Sequence, residues 1–473
     1  MSRKKGLPAT LLLCVALATG GTTGPATGAT KLQPKVAWET PVTATDLAKR
    51  PANNSPMLAS HPDDPRLVVL ANRLDAPEFG CSLQVSTNGG RLWKRVTPVP
   101  KLPRGAEKCY APEVAFDSKG VLHFLFVGLA GEGNSPVGAY LATSSDRART
   151  FTAPLRVLGP ERYMVRMAID RSGEHRGRIH LVWLQAGADP PLGGLAPPPN
   201  PIMHSFSDDG GKKFSRPVKV AGSKEERVVA PALALGPKGE VHVLFYDLQD
   251  DARDYQGLEG PAWEGKWSLE LASSFDGGRR FRRQPTVDDG IVPPERVMLI
   301  FTMPPASLAT GRSGRLYAAW HDARNGDWDI LSRRSTDGGR SWQGPQRIND
   351  DPQGNGRHQY LPRLSVSPNG RVDAVFYDRR NDPENIRNDV YYSSLSNNGA
   401  SFSPNLRLSS ESSHSRIGQR YEVPSAKDMV EFGSRLASVS TGTGMLASWT
   451  DTRNHLTATK AQDIVAARVS LSR

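Results

Sequence analysis

Ser335-Thr336-Asp337-Gly338-Gly339-Arg340-Ser341-Trp342 is the clearest of six copies of one turn that recur along this 473-residue chain. The other copies begin at Ser86, Ser144, Ser207, Ser274 and Leu395. The third position of each copy holds Asp or Asn, these residues being Asn88, Asp146, Asp209, Asp276, Asp337 and Asn397. An Asp or Asn side chain can bond to its own backbone two residues on, and glycine permits positive φ, so we predict a tight hairpin turn. A turn that recurs at a regular period indicates a repeat architecture.

The spacing of the turns predicts a β-propeller. Successive copies start 58 to 67 residues apart, which is about the length of a four-stranded blade. A pair of short apolar strands recurs seven times, at 56–72, 112–127, 166–183, 231–247, 306–322, 362–378 and 434–451. The seventh repeat has no turn and no fourth strand, and the segment 36–42 resembles the fourth strands of other repeats. We therefore predict an all-β, seven-bladed propeller closed by an N-terminal strand, with six blades as the alternative.

The repeated turn resembles the Asp box, or bacterial neuraminidase repeat, which reads Ser-x-Asp-x-Gly-x-x-Trp/Phe. Beyond its first 29 residues, the chain resembles the sialidase-like β-propellers over nearly all of its length. That family includes exo-sialidases, other glycosidases and propellers without known activity, and its enzymes typically have six blades. Its enzymes also carry an Arg-Ile-Pro motif ahead of the first box, where this chain has Asn72-Arg73-Leu74-Asp75. The resemblance therefore implies the fold and transfers no catalytic residue.

The first 29 residues have the pattern of a secretory signal peptide. Ser2-Arg3-Lys4-Lys5 is followed by an apolar stretch at 11–18, with cleavage predicted after residue 29 or, alternatively, after residue 18. Residues 30–473 then form one propeller domain, secreted or periplasmic, and no later apolar run is long enough for a membrane span. An exported compartment permits a disulfide between Cys81 and Cys109, the alternative being two separate buried thiols.

The formal net charge of +12 favours an anionic partner. The basic residues are spread through the turns and do not form a run with interleaved aromatic residues, which argues against nucleic acid. An anionic glycan or an acidic protein surface fits better. We expect a monomer.

The long loops are predicted to lie on the face opposite the repeated turns, where a site is expected. Loop 247–266 mixes carboxylates with aromatic residues, which suits sugar or a cation but also a solvated acidic loop. Calcium fits these residue types, yet the spacing matches no EF-hand loop, and the ten His are scattered, so we predict no cofactor and no metal site. The repeated Asp-x-Arg-Asn motif at 322–325, 378–381 and 451–454 is interpreted as a structural network.

One position in the first strand of each blade breaks the repeat. It reads Met57, Glu113, Arg166, Ala232, Ser307, Arg363 and Arg435 around the ring. We predict that the three arginines converge at the mouth of the central channel beside Glu113, with Tyr110 just upstream, to bind a ligand. The planar guanidinium suits a carboxylate or sulfate, and the resemblance implies the same, because sialidases hold their substrate carboxylate with an arginine triad. The alternative is a water-filled channel whose arginines pair with the acids of the Asp-x-Arg-Asn motifs.

Three functional hypotheses follow. The first is a secreted propeller that binds an anionic glycan or a protein partner at the channel mouth. The second is an exo-sialidase-type glycoside hydrolase with a rearranged site, for which the candidate catalytic residues are Tyr360, Tyr421, Glu422, Glu113 and Asp247. The third is a scaffold or assembly protein that uses the outer blade edges.

Overall fold

The computed structural model describes residues 33–43, 51–76, 78–171, 173–186, 199–223, 226–251, 264–293, 305–397, 399–420, 430–454 and 461–472. These residues form 32 strands and no helix. The strands are grouped into seven antiparallel sheets of four core strands each, which are the blades of a propeller. The predicted all-β, seven-bladed architecture is confirmed. No helix within these ranges has the length and apolarity needed to span a bilayer.

The first four blades follow the chain order from the inner strand outward. The chain begins with β1 (Gln33–Pro41), and blade 1 comprises β2 (Asn53–Ser60), β3 (Val68–Leu74), β4 (Gly80–Ser86) and β5 (Lys94–Arg95). Blade 2 comprises β6 (Lys108–Phe116), β7 (Leu122–Ala130), β8 (Ser135–Ser144) and β9 (Leu155–Leu158). Blade 3 comprises β10 (Arg162–Ile169), β11 (Ile179–Gln185), β12 (Ile202–Ser207) and β13 (Val218–Ala221). Blade 4 comprises β14 (Val228–Leu235), β15 (Val241–Asp247), β16 (Trp267–Ser274) and β17 (Arg282–Arg283), and β18 (Asp288–Ile291) also pairs with β16.

The last three blades include the one that closes the ring. Blade 5 comprises β19 (Ser307–Thr310), β20 (Leu316–Asp322), β21 (Asp329–Ser335) and β22 (Gln346–Arg347). Blade 6 comprises β23 (Gln359–Val366), β24 (Val372–Asp378), β25 (Arg387–Leu395) and β26 (Leu406–Arg407), with β27 (Ser413–His414) also on β25. A hairpin of β28 (Gln419–Arg420) and β29 (Val430–Glu431) precedes blade 7, which comprises β30 (Ala437–Thr441), β31 (Gly444–Asp451), β32 (Asp463–Ser472) and β1.

The ring closes in two places. On the outside, β1 pairs antiparallel with β32 from Gln33↔Ser472 to Pro41↔Val465, so the N-terminal strand supplies the fourth strand of the last blade. On the inside, each first strand contacts the first strand of the next blade, and β30 contacts β2. The N-terminal strand therefore covers the edge that β32 would otherwise expose, and the contact between β30 and β2 brings the last blade against the first. The core lies between blades, where a fully buried Trp of a second strand packs in each of three interfaces, namely Trp183, Trp320 and Trp449.

The repeated turns are closed by a serine and an acidic side chain acting together. In the clearest copy, the Ser335 hydroxyl donates to Asp337 at 2.8 Å and accepts from the Gly339 N–H at 2.8 Å. Asp337 accepts from the Ser341 N–H, four residues on, at 3.0 Å. The predicted bond from the acidic side chain to a backbone group two residues on is therefore wrong, because the carboxylate spans the whole turn. These bonds lower the pKa of Asp337 to about 2, with the Ser341 hydroxyl contributing most.

In the four turns that begin at Ser86, Ser207, Ser274 and Ser335, the second glycine also contacts a neighbouring blade. Gly339 has φ +93°, and a methyl group added there would lie 2.5 Å from the Leu271 Cδ2 of blade 4. Gly338 has φ +75°, but a methyl group there would meet nothing within 4 Å. We expect Gly338→Ala to cost about 1–2 kcal/mol from backbone strain alone. Gly339→Ala should cost about 1–3 kcal/mol more, because the turn must also move away from Leu271.

Urea unfolding of the two variants checks this prediction, and Gly338→Ala is the matched control for strain. Equal destabilisation by both substitutions would show that the second glycine has no packing role between blades.

The Asp-x-Arg-Asn motif forms an ion-pair network at the ends of second strands. Arg324 donates through Nη2 to its own Asp322 and to Asp288, each at 2.6 Å. Arg380 similarly joins Asp378 and Asp350, and Arg453 joins Asp451 and Glu39. Each arginine thus ties its own strand end to a second acidic residue, which is a structural role.

Candidate ligand site at the channel mouth

A ring of β-bulges lies at the mouth end of the first strands. Five residues, in five different blades, adopt left-handed φ values between 48° and 53°, namely Ser55, Ala111, Met164, Ala230 and Leu361. The register of each first strand shifts at the same point. A bulge bends a strand and redirects the next side chains, and such strained residues concentrate at functional sites. The position two residues after each of these five is the one at which the sequence repeat breaks.

The bulges were not predicted from the sequence, although a signal for them was present. Four of the five left-handed residues precede a proline, at 56, 112, 231 and 362. Proline cannot donate to a sheet ladder, so a proline that recurs near the start of an inner strand indicates a bulge. In blade 7 the corresponding residue is Gly433, which has φ +96°.

Glu113 is the centre of the cluster that these bulges create. It lies in β6, has 1% of its surface exposed and is approached by arginines from two other blades. The Arg166 Nη1 donates to its Oε1 at 3.3 Å, and the Arg435 Nη1 donates to the same oxygen. The structure therefore brings Glu113, Arg166 and Arg435 together. The arginines do not pair with the Asp-x-Arg-Asn acids, as the water-filled-channel alternative supposed.

Arg435 is fully engaged by the protein itself. Besides Glu113, its guanidinium donates to the Pro112 carbonyl at 2.6 Å and to the Ser55 carbonyl at 3.3 Å. It therefore reaches from the start of blade 7 across blade 1 to blade 2. Burial lowers the pKa of Arg435, while the Glu113 carboxylate raises it. A guanidinium that donates from all three nitrogens to protein acceptors stabilises the ring more readily than it binds a ligand.

Arg363 differs from Arg435 in its bonding. It lies in β23 and, among the described residues, takes part in no hydrogen bond or ion pair, and its Nε is buried without a partner. Burial lowers its pKa, the Glu113 carboxylate raises it and the Arg435 guanidinium lowers it, so both groups are within electrostatic reach. The cluster thus has three arginines for one carboxylate, and within the described residues the half-buried Arg363 has no bonding partner.

Tyr110 and Tyr360, two tyrosines expected near the mouth, are both hydrogen-bonded to protein groups. The Tyr110 hydroxyl accepts from Arg73 at 2.8 Å, and Arg73 forms a buried bidentate pair with Asp75 at 2.6 and 2.8 Å. Tyr360 is 1% exposed, packs against Tyr377 and accepts from Arg379 at 3.3 Å. A phenol that is buried in this way does not reach a ligand, so the structure removes Tyr360 from the candidate catalytic residues.

Of the remaining catalytic candidates, Asp247 lies outside this cluster. Asp247 ends β15, where burial raises its pKa and its charged neighbours are Glu226 and Arg283. Tyr421 and Glu422 lie outside the described residues, as does most of loop 247–266. In the described part of the chain, no group of three or more His, Cys, Asp or Glu side chains is arranged to hold a metal ion.

Tyr163, which the sequence places in a connector at the mouth, forms a pair with a glutamate that the sequence did not single out. The Tyr163 hydroxyl donates to the Glu161 Oε2 at 3.1 Å, three residues before Arg166 on the chain. Burial and the Glu161 carboxylate together raise the pKa of this phenol, and Glu161 itself has φ +59°. A general base within hydrogen-bond reach of a hydroxyl is the arrangement that activates a nucleophile.

The Sγ atoms of Cys81 and Cys109 are joined in a disulfide that links blade 1 to blade 2. Cys109 lies in β6, four residues before Glu113. The disulfide therefore ties the strand that carries Glu113 to the third strand of the preceding blade.

Comparison with known proteins shows similarity of fold. No protein-family profile matches the chain, and no curated protein matches it in sequence. A protein of unknown function from Dyadobacter fermentans is 14% identical, with 93% of this chain and 99% of that chain covered and a TM-score of 0.50. The α-L-arabinofuranosidase Arb93A from Fusarium graminearum is 12% identical, with 76% and 98% covered and a TM-score of 0.50. The Hadza microbial sialidase Hz136 is 12% identical, with 86% and 74% covered and a TM-score of 0.47. At these identities the chain shares a β-propeller fold with glycoside hydrolases, and the similarity concerns the fold alone.

Proposed function

We propose that this protein is a secreted, sialidase-like propeller that binds an anionic glycan at the channel mouth through Arg363 and Arg166. The observation that carries the proposal is the half-buried Arg363 guanidinium, whose Nε is buried and which has no partner among the described residues. Removing a cation from water is costly unless an anion compensates. A carboxylate or sulfate on a sugar would supply that anion and accept paired hydrogen bonds from the planar guanidinium.

The charged residues of the cluster have different roles, and this difference supports the same proposal. Arg435 and Glu113 form the fixed frame, because their bonds join blades 7, 1 and 2. Arg166 makes one bond to Glu113, and its side chain is 15% exposed, which leaves donors directed toward the channel. After the Glu113 charge is subtracted, a cluster of three arginines retains two positive charges for a ligand. The fold, shared with propeller glycoside hydrolases, makes a sugar the most suitable carrier of the anion.

We also propose export. The predicted signal at 1–29 lies outside the described residues, so the support comes from the disulfide between Cys81 and Cys109, which persists in an oxidising compartment.

A panel of acidic and neutral oligosaccharides tests the proposal. We expect the wild-type protein to bind members with carboxylates or sulfates, and Arg363→Gln to weaken that binding roughly tenfold or more, because a charge-assisted pair is lost. Arg312→Gln, at an exposed turn on the opposite face, is the matched control and should bind as the wild type does. Equal binding of acidic and neutral sugars, or no effect of Arg363→Gln, would contradict the proposal.

A glycoside hydrolase is the second candidate, and the Tyr163–Glu161 pair favours it. Glycosidases that use a tyrosine nucleophile need a neighbouring carboxylate to accept the phenol proton, which the raised pKa of Tyr163 makes necessary here. The same panel separates the two functions, because an enzyme would release sugar and lose that activity in Tyr163→Phe. Binding without release would favour the binding function. The absence of both binding and release would favour a scaffold role of the blade edges.

A further inference from the structure

The positive charge of the chain is concentrated on one part of the outer rim. We define the cationic arc as the segments from each repeated turn to the fourth strand in blades 1–4, at 86–95, 144–158, 207–221 and 274–283. These segments hold fourteen Lys and Arg and four Asp, a formal net charge of +10. The equivalent segments of blades 5–7, at 335–347, 395–407 and 33–41, together carry +2.

The charges of the arc are directed to solvent. All fourteen cationic residues of the arc are exposed. Within the described part of the chain, three of them form ion pairs: Arg147 with Asp64, Arg280 with Asp276, and Arg283 with Glu226 and Glu270. Three of the four Asp, at 146, 209 and 276, accept hydrogen bonds from the backbone of their own turns. The arc therefore presents mainly free cationic groups.

Protection of sheet edges does not explain this asymmetry. Charged residues on an outer strand discourage edge-to-edge association, and every blade of this ring has such an edge. If edge protection were the reason, blades 5–7 would carry a similar charge. Their outer strands carry little net charge, so the arc has a further cause.

Exposed apolar side chains lie in the same arc. The described residues expose four large hydrophobic side chains, and three of these belong to the arc: Leu92 at 69%, Phe275 at 54% and Leu155 at 45%. Leu92 and Phe275 are in the turns of blades 1 and 4, at positions where the other copies have polar residues such as Lys213 and Thr336. The turn itself therefore does not require an apolar residue there. Exposed apolar groups among cations are typical of proteins that lie on a membrane surface.

We propose that the cationic arc docks this protein onto an anionic phospholipid surface. The Lys and Arg side chains would bind the headgroups, and Leu92, Leu155 and Phe275 would insert at the boundary between headgroups and acyl chains. A soluble polyanion would use the cations but would gain nothing from the apolar residues. Because the repeated turns lie on the face opposite the channel mouth, a docked molecule keeps the cluster around Glu113 accessible to ligand.

Sedimentation of the full chain with lipid vesicles tests the proposal. We expect binding to vesicles that contain phosphatidylglycerol and none to phosphatidylcholine alone, with a loss of binding at high salt. Lys212→Gln/Lys213→Gln should lower the partition coefficient about ten- to thirtyfold, since each basic residue near such a surface contributes separately. The charge-matched control Lys35→Gln/Arg340→Gln, on the rims of blades 7 and 5, should stay within about twofold of the wild type.

A separate variant tests the contribution of the exposed apolar side chains to vesicle binding. Leu92→Ser/Phe275→Ser should also weaken vesicle binding, while binding to heparin stays unchanged, and both residues are exposed, so the fold should not suffer. Heparin binding without vesicle binding, measured in the Arg363→Gln variant so that the channel mouth does not contribute, would overturn the lipid proposal in favour of a soluble polyanion. Vesicle binding that neither arc variant alters would overturn it as well. Arg363→Gln should bind vesicles as the wild type does, which keeps this test separate from that of the channel mouth.

Discussion

Replacing Arg435 with alanine is expected to destabilise the protein by about 3–5 kcal/mol, because it leaves the buried Glu113 carboxylate without its main partner. The same substitution leaves the Pro112 and Ser55 carbonyls without their guanidinium donor. Arg166 compensates poorly, since its contact with Glu113 is the longer one at 3.3 Å. Because Arg435 connects the last blade to the first two, the substitution removes hydrogen bonds at the point where the ring closes. Urea unfolding measures the effect.

Two further variants make the Arg435 prediction specific. Arg435→Met/Glu113→Gln removes both charges of the pair and should recover part of the loss, because no buried carboxylate is left without its main partner, while Arg166 loses its acceptor. Arg166→Ala, the control with a single longer contact and a side chain that is 15% exposed, should cost about 1 kcal/mol. Destabilisation by Arg435→Ala of less than about 1 kcal/mol would contradict the structural role of the pair.

The second large effect is a loss of stability in mild acid. Burial lowers the pKa of His204 to about 3 and that of His242 to about 4, and it lowers the pKa of His180 as well. His180 and His204 are fully buried and share a hydrogen bond of 3.0 Å between ring nitrogens. Below about pH 6.5 the unfolded chain binds protons at these three residues and the folded chain does not. Stability should therefore fall as the pH falls, by about 1.4 kcal/mol per pH unit for each residue, until the folded-state pKa values are reached.

The three residues together contribute a slope of about 4 kcal/mol per pH unit between about pH 6 and pH 4, and His321 and His358, whose pKa values burial also lowers to about 4, make the slope steeper. Buried carboxyls such as Asp378, whose pKa is raised above 3.8 by burial, act in the opposite direction within this window and reduce the net slope. Urea unfolding across the window measures the slope. His242→Gln removes one titrating group and should reduce the slope by about 1.4 kcal/mol per pH unit. A flat profile, or one that this variant leaves unchanged, would be incompatible with buried neutral histidines.

The fold was largely predictable because its sequence signals are local and repeated. The glycine pair marks four of the six turns, and the segment 36–42 could be matched to other fourth strands, which gave the closure by β1. The position in the first strands at which the repeat breaks led to Glu113, Arg166, Arg363 and Arg435. The structure joins Arg166 and Arg435 to Glu113 by hydrogen bonds. Convergence of this kind follows from the geometry of the inner strands.

The roles within the cluster could not be predicted in the same way. Whether an arginine is engaged depends on backbone carbonyls, and the carbonyls of Ser55 and Pro112 accept from Arg435 where the first strands bulge. Tyr360 failed as a candidate because its burial depends on packing against Trp328 and Tyr377, which are distant along the chain. Such long-range contacts carry no local sequence signal.

The most direct test of the central claim compares one acidic oligosaccharide with its carboxyl-reduced form by calorimetric titration. We take the acidic glycan that binds best to the wild-type protein and titrate both forms into the wild type and into Arg363→Gln. We predict that carboxyl reduction weakens binding to the wild type roughly tenfold or more and has little further effect on Arg363→Gln, since the two changes remove the same interaction. Independent, additive losses from the two changes would contradict the claim that Arg363 binds the anionic group.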